Sequence, residues 1–267
     1  MSIPGYVDYK IAVPERCREV FSHFYYLKNE SDETVTKTLM PSYQTILIFN
    51  FGANVLLFSS SSQIGLSKCI VLGPIKRAFD YSLPPGAEML VVGFKDDAFY
   101  RFFGHAAVAE HQPVDPDSLL MHDCFTDLWD KLAGLEGNTL RIAQIVQFAE
   151  PYLLGSNQIA QQLANFEGLS ASPIKAVASV NGQTERNVQL TQRKHFGYSA
   201  KAFSRYSRFL KAIELISKLL SNNNKVNWFE VIDACGYYDQ SQLIRDFKYY
   251  TNLSPTKYLK FQKDICR

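Results

Sequence analysis

The sequence predicts an α+β protein with a β-rich front half, following helices, and an all-α back half. Short apolar runs bounded by turn-forming residues occupy residues 45–95, a spacing typical of a β-sandwich or barrel. From about Ser156 onward, apolar residues recur three and four positions apart, which is the period of helices. At 267 residues, the chain is long enough for two modest domains.

Four apolar runs predict the strands of the front half. They are TILIFNFG, NVLLFSS, KCIVLGPI and AEMLVVGFK, at residues 45–52, 54–60, 68–75 and 87–95. Turn formers such as Gly73-Pro74 and Pro84-Pro85-Gly86 separate the strands. From Asp117 the pattern changes, and apolar residues at helical spacing predict helices over 118–135 and 138–154.

The back half contains a weak internal repeat. IKAVASVNGQTERNVQLTQRKHFGYSAKAF aligns with FEVIDACGYYDQSQLIRDFKYYTNLSPTKY. Each copy predicts a short helix, a tight turn at Gly182 or Gly236, and a second helix capped by Thr184 or Asp239. Such a pair is a helix-turn-helix, whose second helix fits the major groove of DNA. A plain helix hairpin could give one such pattern, but two copies in a basic region favour DNA binding.

Charge is divided unevenly along the chain. Residues 1–150 hold 12 Lys and Arg against 18 Asp and Glu, a net charge of −6, whereas residues 151–267 hold 16 against 8, a net charge of +8. The two values agree with the overall charge of +2. The back half is therefore expected to meet a polyanion.

Composition indicates a cytoplasmic protein with no membrane partner. No run of about 18 apolar residues exists, so no span is expected. The start, MSIPGYVDYKIAVPERC, lacks the pattern of a secretory signal. The cysteines are scattered, odd in number and without a CxxC pair, which favours reduced thiols. They are Cys17, Cys69, Cys124, Cys235 and Cys266.

The stretch GYYDQSQLIRDFKYYTNLSPTKYLK, residues 236–260, resembles the signature of AraC/XylS-type transcription regulators. The resemblance extends over about 156–267. It implies a DNA-binding domain there, with helix-turn-helix motifs at about 173–197 and 227–251, and an effector-sensing or dimerisation domain over 1–155. The front half also resembles the N-terminal domain of some such regulators, through IVLGPIKRAFDYSLPPGAEMLVVGFKDDAFYRFFG and HDCFTDLWDKL.

The second motif keeps the family pattern. Leu243 and Phe247 anchor its second helix, and polar residues occupy the positions that face the groove. The predicted base-reading residues are Gln240, Ser241 and Arg245, because Arg suits guanine O6/N7 and Gln suits adenine N6/N7. Lys248 on the next turn is expected to contact phosphate. The alternative for Arg245 is a structural ion pair with Asp246 or another acid.

The first motif departs from that pattern at two positions. Leu190 stands where the family commonly has Arg, and Gln192 stands where it has a buried Phe. Leu190 can contact only a thymine methyl, and a buried Gln192 needs partners for its amide. The remaining predicted base-reading residues are Arg186, Gln189 and Arg193, with Thr184 and Lys201 expected at phosphates.

The motifs of several enzyme classes are missing, so no catalysis and no cofactor are expected. The sequence has no GxGxxG, P-loop, HExxH or GxSxG, and a cupin-like barrel would lack the HxH pair that holds a metal in cupin enzymes. One alternative is a metal- or redox-sensing regulator using His105, His111, His122 and Cys124. A DNA-repair methyl acceptor would need clustered cysteines, and a purely architectural DNA binder would not need the front domain.

The sequence thus predicts a regulator that binds double-stranded promoter DNA with its back half and senses a small molecule with its front half. Front-half aromatic residues are candidates for lining an effector pocket, although such residues also form ordinary core. They are Phe49, Phe51, Phe58, Phe79 and Phe94. RNA polymerase and a second copy of the chain are further expected partners.

Overall fold

The computed structural model describes residues 4–59, 62–66, 68–106, 113–120, 122–166, 172–222 and 225–265. The chain divides into two compact units, Ser2–Tyr198 and Ser199–Arg267. The boundary predicted at 155/156 concerns which residues bind DNA, and it stays a prediction. None of the helices in the described part of the chain is both long and apolar enough to cross a membrane.

Two antiparallel sheets form the first part of the unit Ser2–Tyr198, which confirms the predicted β-rich front half. The strands are β1 (Tyr6–Ile11), β2 (Phe21–Asn29), β3 (Val35–Leu39), β4 (Ile46–Asn50), β5 (Val55–Ser59), β6 (Ser62–Leu66), β7 (Cys69–Leu72), β8 (Phe79–Leu83) and β9 (Glu88–Phe94). One sheet has the order β1-β2-β9-β4-β7 and the other β3-β8-β5-β6.

Seven helices described in this unit follow the strands. They are α1 (Ala98–Phe103), α2 (Pro116–Leu120), α3 (Cys124–Ala133), α4 (Asn138–Ala149), α5 (Gln158–Ala164), α6 (Pro173–Val180) and α7 (Glu185–Phe196). The helix predicted over 118–135 is divided between α2 and α3. The unit Ser199–Arg267 contains α8 (Ala200–Ser221), α9 (Trp228–Cys235), α10 (Gln240–Thr251) and α11 (Pro255–Ile265).

Strand β4 is buried on both faces, and each face belongs to a different core. Ile46 and Ile48 pack in a cluster with side chains of the smaller sheet, such as Leu57. Leu47 and Phe49 pack in a second cluster with residues of α1, α3 and α4. Successive side chains of a strand point to opposite faces, so one apolar run supplies both cores. A continuous apolar run is typical of a strand covered on both sides.

Candidate nucleic-acid interface and effector cavity

The turn between α9 and α10 is built from local interactions that the sequence predicts. Gly236 has a φ of 74°, a left-handed conformation that glycine adopts without strain. Asp239 accepts a hydrogen bond from the Gln242 backbone N–H at 2.6 Å, and the Gln242 side chain accepts one from the Tyr238 N–H at 2.8 Å. These reciprocal bonds satisfy donors that a helix start leaves free, so α10 begins where Asp239 places it.

One face of α10 is the buried anchor of the second unit. Leu243, Phe247 and Tyr250 are at most 1% exposed. The Phe209 ring of α8 lies 5.1 Å from the Phe247 ring and 4.6 Å from the Tyr250 ring, measured between centroids. Burial of aromatic side chains contributes strongly to stability, so this face holds α10 firmly in place.

The opposite face of α10 is polar and exposed. Gln240, Ser241, Arg245 and Lys248 are all exposed, as the sequence predicts for groove-facing residues. The Arg245 Nε donates a hydrogen bond to the Ser241 carbonyl at 3.3 Å. The face therefore presents donors and acceptors outward from a rigid support.

Asp246 binds two arginines of α8 rather than Arg245. Its carboxylate is 1% exposed and accepts hydrogen bonds from Arg205 Nε at 2.6 Å and Arg208 Nη2 at 3.2 Å. Among the described residues no acid forms an ion pair with Arg245 within 4.0 Å. A buried carboxylate held by two guanidinium groups instead fixes α10 to α8.

A cleft beside Asp246 and its two arginine partners is lined mostly by basic and polar side chains. It is lined by Lys201, Ser204, Arg205, Arg208, Gln242, Arg245 and Asp246. Lys201 is exposed and is one of the predicted phosphate contacts. Sequence reasoning did not identify Arg205 and Arg208. The signal that could have found them is their spacing of three on one helix, which places both on one face.

The helix pair α6–α7 has the same glycine turn and helix cap as α9–α10, but different side chains on its second helix. Gly182 has a φ of 60°, and the Thr184 hydroxyl accepts a hydrogen bond from the Asn187 N–H at 3.3 Å. The residues Arg186, Gln189, Leu190 and Arg193 are exposed. Gln192 is 7% exposed, and its side-chain oxygen has no hydrogen-bond partner among the described residues. The Gln192 amide is therefore buried without full satisfaction.

A cavity of about 290 Å³ lies between the two sheets. Most of its wall is apolar, including Ile46, Ile48 and Leu57, while Lys10, His23, Thr38 and Ser42 contribute polar groups. Burial, and secondarily Lys10, lowers the pKa of His23. An apolar cavity with a few convergent polar groups is typical of a small-molecule site.

The predicted pocket residues are placed on different surfaces. Phe79 lines the cavity. Phe49, Phe51 and Phe94 lie in the cluster packed against the helices, and the Arg141 guanidinium lies 3.9 Å from the centroid of the Phe51 ring. Phe58 is 37% exposed. On β4 the cavity wall is formed by Ile46 and Ile48. The sequence analysis selected Phe49, whose side chain lies on the opposite face of the strand.

The candidate metal ligands do not converge in the described residues. His105 and His122 are exposed, Cys124 is half-buried, and His111 lies outside the described residues. No group of three or more His, Cys, Asp or Glu side chains in the described ranges could hold a metal ion.

The described thiols are in environments that disfavour the thiolate. Burial raises the pKa of the Cys69 thiol to about 12, and it also raises the pKa of the thiols of Cys17, Cys124 and Cys235. Because the thiolate is the reactive form, these positions do not support a methyl-acceptor or redox reading. Cys266 lies outside the described residues.

Two family models match the sequence. Residues 222–260 match the model described as bacterial regulatory helix-turn-helix proteins, AraC family, which confirms the resemblance for the second motif. Residues 13–112 match a domain of unknown function, DUF6597. The first motif lies outside both matches and stays a prediction. No curated protein sequence matches the chain.

Several solved structures share a distant likeness with the chain. ToxT from Vibrio cholerae is 9% identical, with a TM-score of 0.42, over 89% of this chain and 98% of ToxT. ToxT bound to (E)-4-(8-methylnaphthalen-1-yl)but-3-enoic acid is 8% identical, with a TM-score of 0.43, over 96% and 98%.

The front half has a weaker likeness of its own. A Cupin_2 domain of an XRE-family transcriptional regulator from Enterobacter cloacae is 4% identical, with a TM-score of 0.27, over 34% of this chain and 95% of that one. Likenesses at these identities and scores carry no ligand or site residue over to this chain.

Proposed function

We propose that this chain, an AraC-type DNA-binding transcription regulator, reads promoter DNA through the exposed polar face of α10 and binds a small effector between its sheets. The observation that carries the first part is the separation of faces on α10. Leu243 and Phe247 are buried, while Arg245 and Lys248 are exposed on the other side. A helix held by one face and polar on the other suits insertion into a major groove.

Each exposed residue of α10 has a distinct proposed role. Arg245 offers two parallel donors that suit guanine O6 and N7, and Gln240 suits adenine N6 and N7. Ser241 can pair with several bases. Lys248 and Lys201 provide point charges for phosphates, which supply affinity without sequence information.

The unit that contains α10 also carries the charge that DNA binding needs. Residues 199–267 hold 12 Lys and Arg against 6 Asp and Glu, a net charge of +6. Arg186, Gln189 and Arg193 of α7 are proposed to read a second half-site, with Thr184 at a phosphate. A homodimer, contact with RNA polymerase and a cytoplasmic location stay separate predictions.

The DNA part is tested by salt-dependent binding of the full chain to an operator selected from random DNA. We expect the logarithm of affinity to fall linearly with the logarithm of salt concentration, because phosphate contacts release counterions. Lys248→Ala should lower that slope by about 1. The control is Lys131→Ala, which removes an exposed lysine of α3. A flat salt response, or equal slope changes from both variants, would reject the interface.

The effector part follows from the cavity's chemistry. Its apolar wall favours a hydrophobic body, and the Lys10 ammonium with the Thr38 and Ser42 hydroxyls favours one anionic or carbonyl group. The lowered pKa of His23 makes the neutral ring, with one donor and one acceptor, the form present near neutral pH.

Thermal shift of the full chain with a panel of small carboxylates, amides and alkanes tests this site. We expect members with both an apolar body and an acceptor group to raise the melting temperature, since a ligand of the folded state stabilises it. Ile48→Phe narrows the cavity and should abolish the rise. If the rise persists in Ile48→Phe, or alkanes match carboxylates, the effector does not bind as proposed.

A further inference from the structure

A buried hydrogen bond joins helix α7 to the front half of the chain. The His195 Nδ1 lies 3.0 Å from Asp97 Oδ2, and the two residues are 7% and 4% exposed. Asp97 stands at the start of α1 and also pairs with Arg101, at 3.2 Å. These residues lie in the unit Ser2–Tyr198, although the sequence separates Asp97 from His195 by 98 positions.

Aromatic contacts reinforce this attachment. The centroids of the Tyr100 and His195 rings are 4.0 Å apart, so the imidazole packs on a ring of α1. The Lys194 ammonium lies 5.5 Å from the centroid of the same Tyr100 ring, within the range of a cation–π interaction. Two consecutive residues of α7, Lys194 and His195, therefore contact the same Tyr100 ring of α1.

The end of α7 is seated just as closely. Gly197 caps the helix with a φ of 73°, and a Cβ atom there would lie 2.6 Å from the Ala106 carbonyl oxygen and 3.4 Å from Pro74 Cδ. The Tyr198 ring lies 5.1 Å from the Tyr43 ring. Only a glycine permits this approach of helix and loop.

The loops that receive the end of α7 also form part of the cavity wall. The Tyr43 and Ser42 N–H groups both donate to the Ile75 carbonyl, at 2.9 and 3.0 Å. Ser42 and Ile75 line the cavity between the sheets. Continuous hydrogen-bonded and packed contacts thus run from the cavity to the C-terminal end of α7.

We infer that a ligand in the cavity changes the position of α7, the helix proposed to read the first half-site. The change would pass through the contacts of α7 with α1 and with the loops at Tyr43 and Pro74. The outward face of α7 carries Arg186, Gln189 and Arg193, all exposed, so a shift in seating reorients those side chains. This regulatory consequence rests on the proposed function, whereas the seating itself does not. An effector that displaces the loops at Tyr43 and Pro74 would change DNA binding only at the half-site assigned to α7.

Hydrogen exchange of the full chain tests the seating. Gly197→Ala places a methyl against Ala106, and Asp97→Ala removes the hydrogen-bond partner of His195 Nδ1. We expect both variants to speed exchange about tenfold over 98–103 and 185–196, since local opening sets these rates. Exchange over 240–251 should stay as in the wild type.

Matched glycines provide the controls. Gly86 and Gly236 have φ values of 78° and 74°, and no atom lies within 4 Å of a Cβ built at either position. Gly86→Ala and Gly236→Ala therefore carry a similar backbone strain without a clash, and α7 should keep its protection in both. If Gly197→Ala leaves 185–196 unchanged, or if exchange rises equally in every strand and helix, the proposed seating is rejected.

Two further measurements test the coupling. Ile48→Phe, which fills the cavity from β4, should alter exchange over 185–196 at least about threefold and leave 240–251 unaltered. Unaltered exchange over 185–196 would reject transmission from the cavity. Gly197→Ala should weaken binding at one half-site of the selected operator. If the wild-type chain selects no operator, the proposed function fails, while the exchange results still decide the seating.

Discussion

The helix pairs α9–α10 and α6–α7 both have a glycine turn and a capped second helix, but they differ in how the second helix is anchored. Phe247 and Leu243 are 0% and 1% exposed in α10, and the Phe209 ring of α8 packs on the Phe247 ring. At the position that corresponds to Phe247, α7 has Gln192, whose side-chain oxygen is buried and has no hydrogen-bond partner among the described residues. Part of the seating of α7 comes from His195 and Asp97 instead.

Helix α7 also buries Val188 and Phe196, so the two helices differ in the polar groups that α7 adds to an apolar anchor. A packed aromatic anchor is strong and non-directional, so α10 holds one position. A hydrogen bond between distant segments, such as that of His195 with Asp97, depends on the distance and angle between both partners. Helix α10 is therefore held chiefly by packing, whereas the position of α7 depends also on the placement of Asp97 and His195.

The largest expected effect is the difference in unfolding free energy between truncating Phe247 of α10 and truncating Gln192 of α7. Phe247→Ala should cost about 3–5 kcal/mol of unfolding free energy, because it opens a cavity among buried rings. Gln192→Ala should cost about 1 kcal/mol or less, since it also removes an unsatisfied amide. Urea unfolding of the full chain measures both. Equal losses would mean that the two helices are anchored equally well.

A second prediction separates the two reading faces. Arg245→Ala should cost about 1–3 kcal/mol of binding free energy and relax preference at one base pair, because a bidentate contact is lost. Leu190→Ala should cost less, since Leu190 can contribute only apolar contact. A base-by-base scan of the selected operator should show that the half-site under 184–196 tolerates more changes than the one under 239–250. Equal stringency in both half-sites would contradict this assignment.

The smallest expected effect concerns the amide of Gln192. Replacing it by Leu should raise stability by about 1 kcal/mol, because a buried polar atom without a partner is removed. Gln192→Phe restores the family's residue and should also stabilise, by an amount that depends on the space available. Melting temperatures of both variants give the answer, with exposed Gln189→Leu as the control. A loss of stability in both core variants would show that the amide is satisfied.

Several features of the interface could be predicted because their causes lie within a few residues. Thr184 and Asp239 each cap a helix through a hydrogen bond that the side chain accepts from the backbone N–H three residues later. Gly182 and Gly236 adopt the left-handed turn that the sequence indicates. The apolar spacing of α10 places Leu243 inside and Arg245 outside.

Sequence reasoning was less successful where the partner lies far along the chain. It considered an ion pair between Arg245 and the adjacent Asp246, whereas Asp246 binds Arg205 and Arg208, about 40 positions earlier. It selected Phe49 for the pocket, whereas Ile46 and Ile48 line it. Alternation shows that neighbouring residues of β4 face opposite ways, but it does not say which face has a cavity.

The sequence by itself determined the β-rich front, the helices that follow, the turns and caps of both pairs, and the resemblance carried by residues 236–260. These depend on periodicity, capping and backbone conformation, which act over a few residues. Only the tertiary structure decided that Asp97 meets His195, that Asp246 meets Arg205, and that the cavity lies on the Ile48 side of β4. Such contacts depend on how distant segments pack together, and a local pattern contains no information about the partner's position.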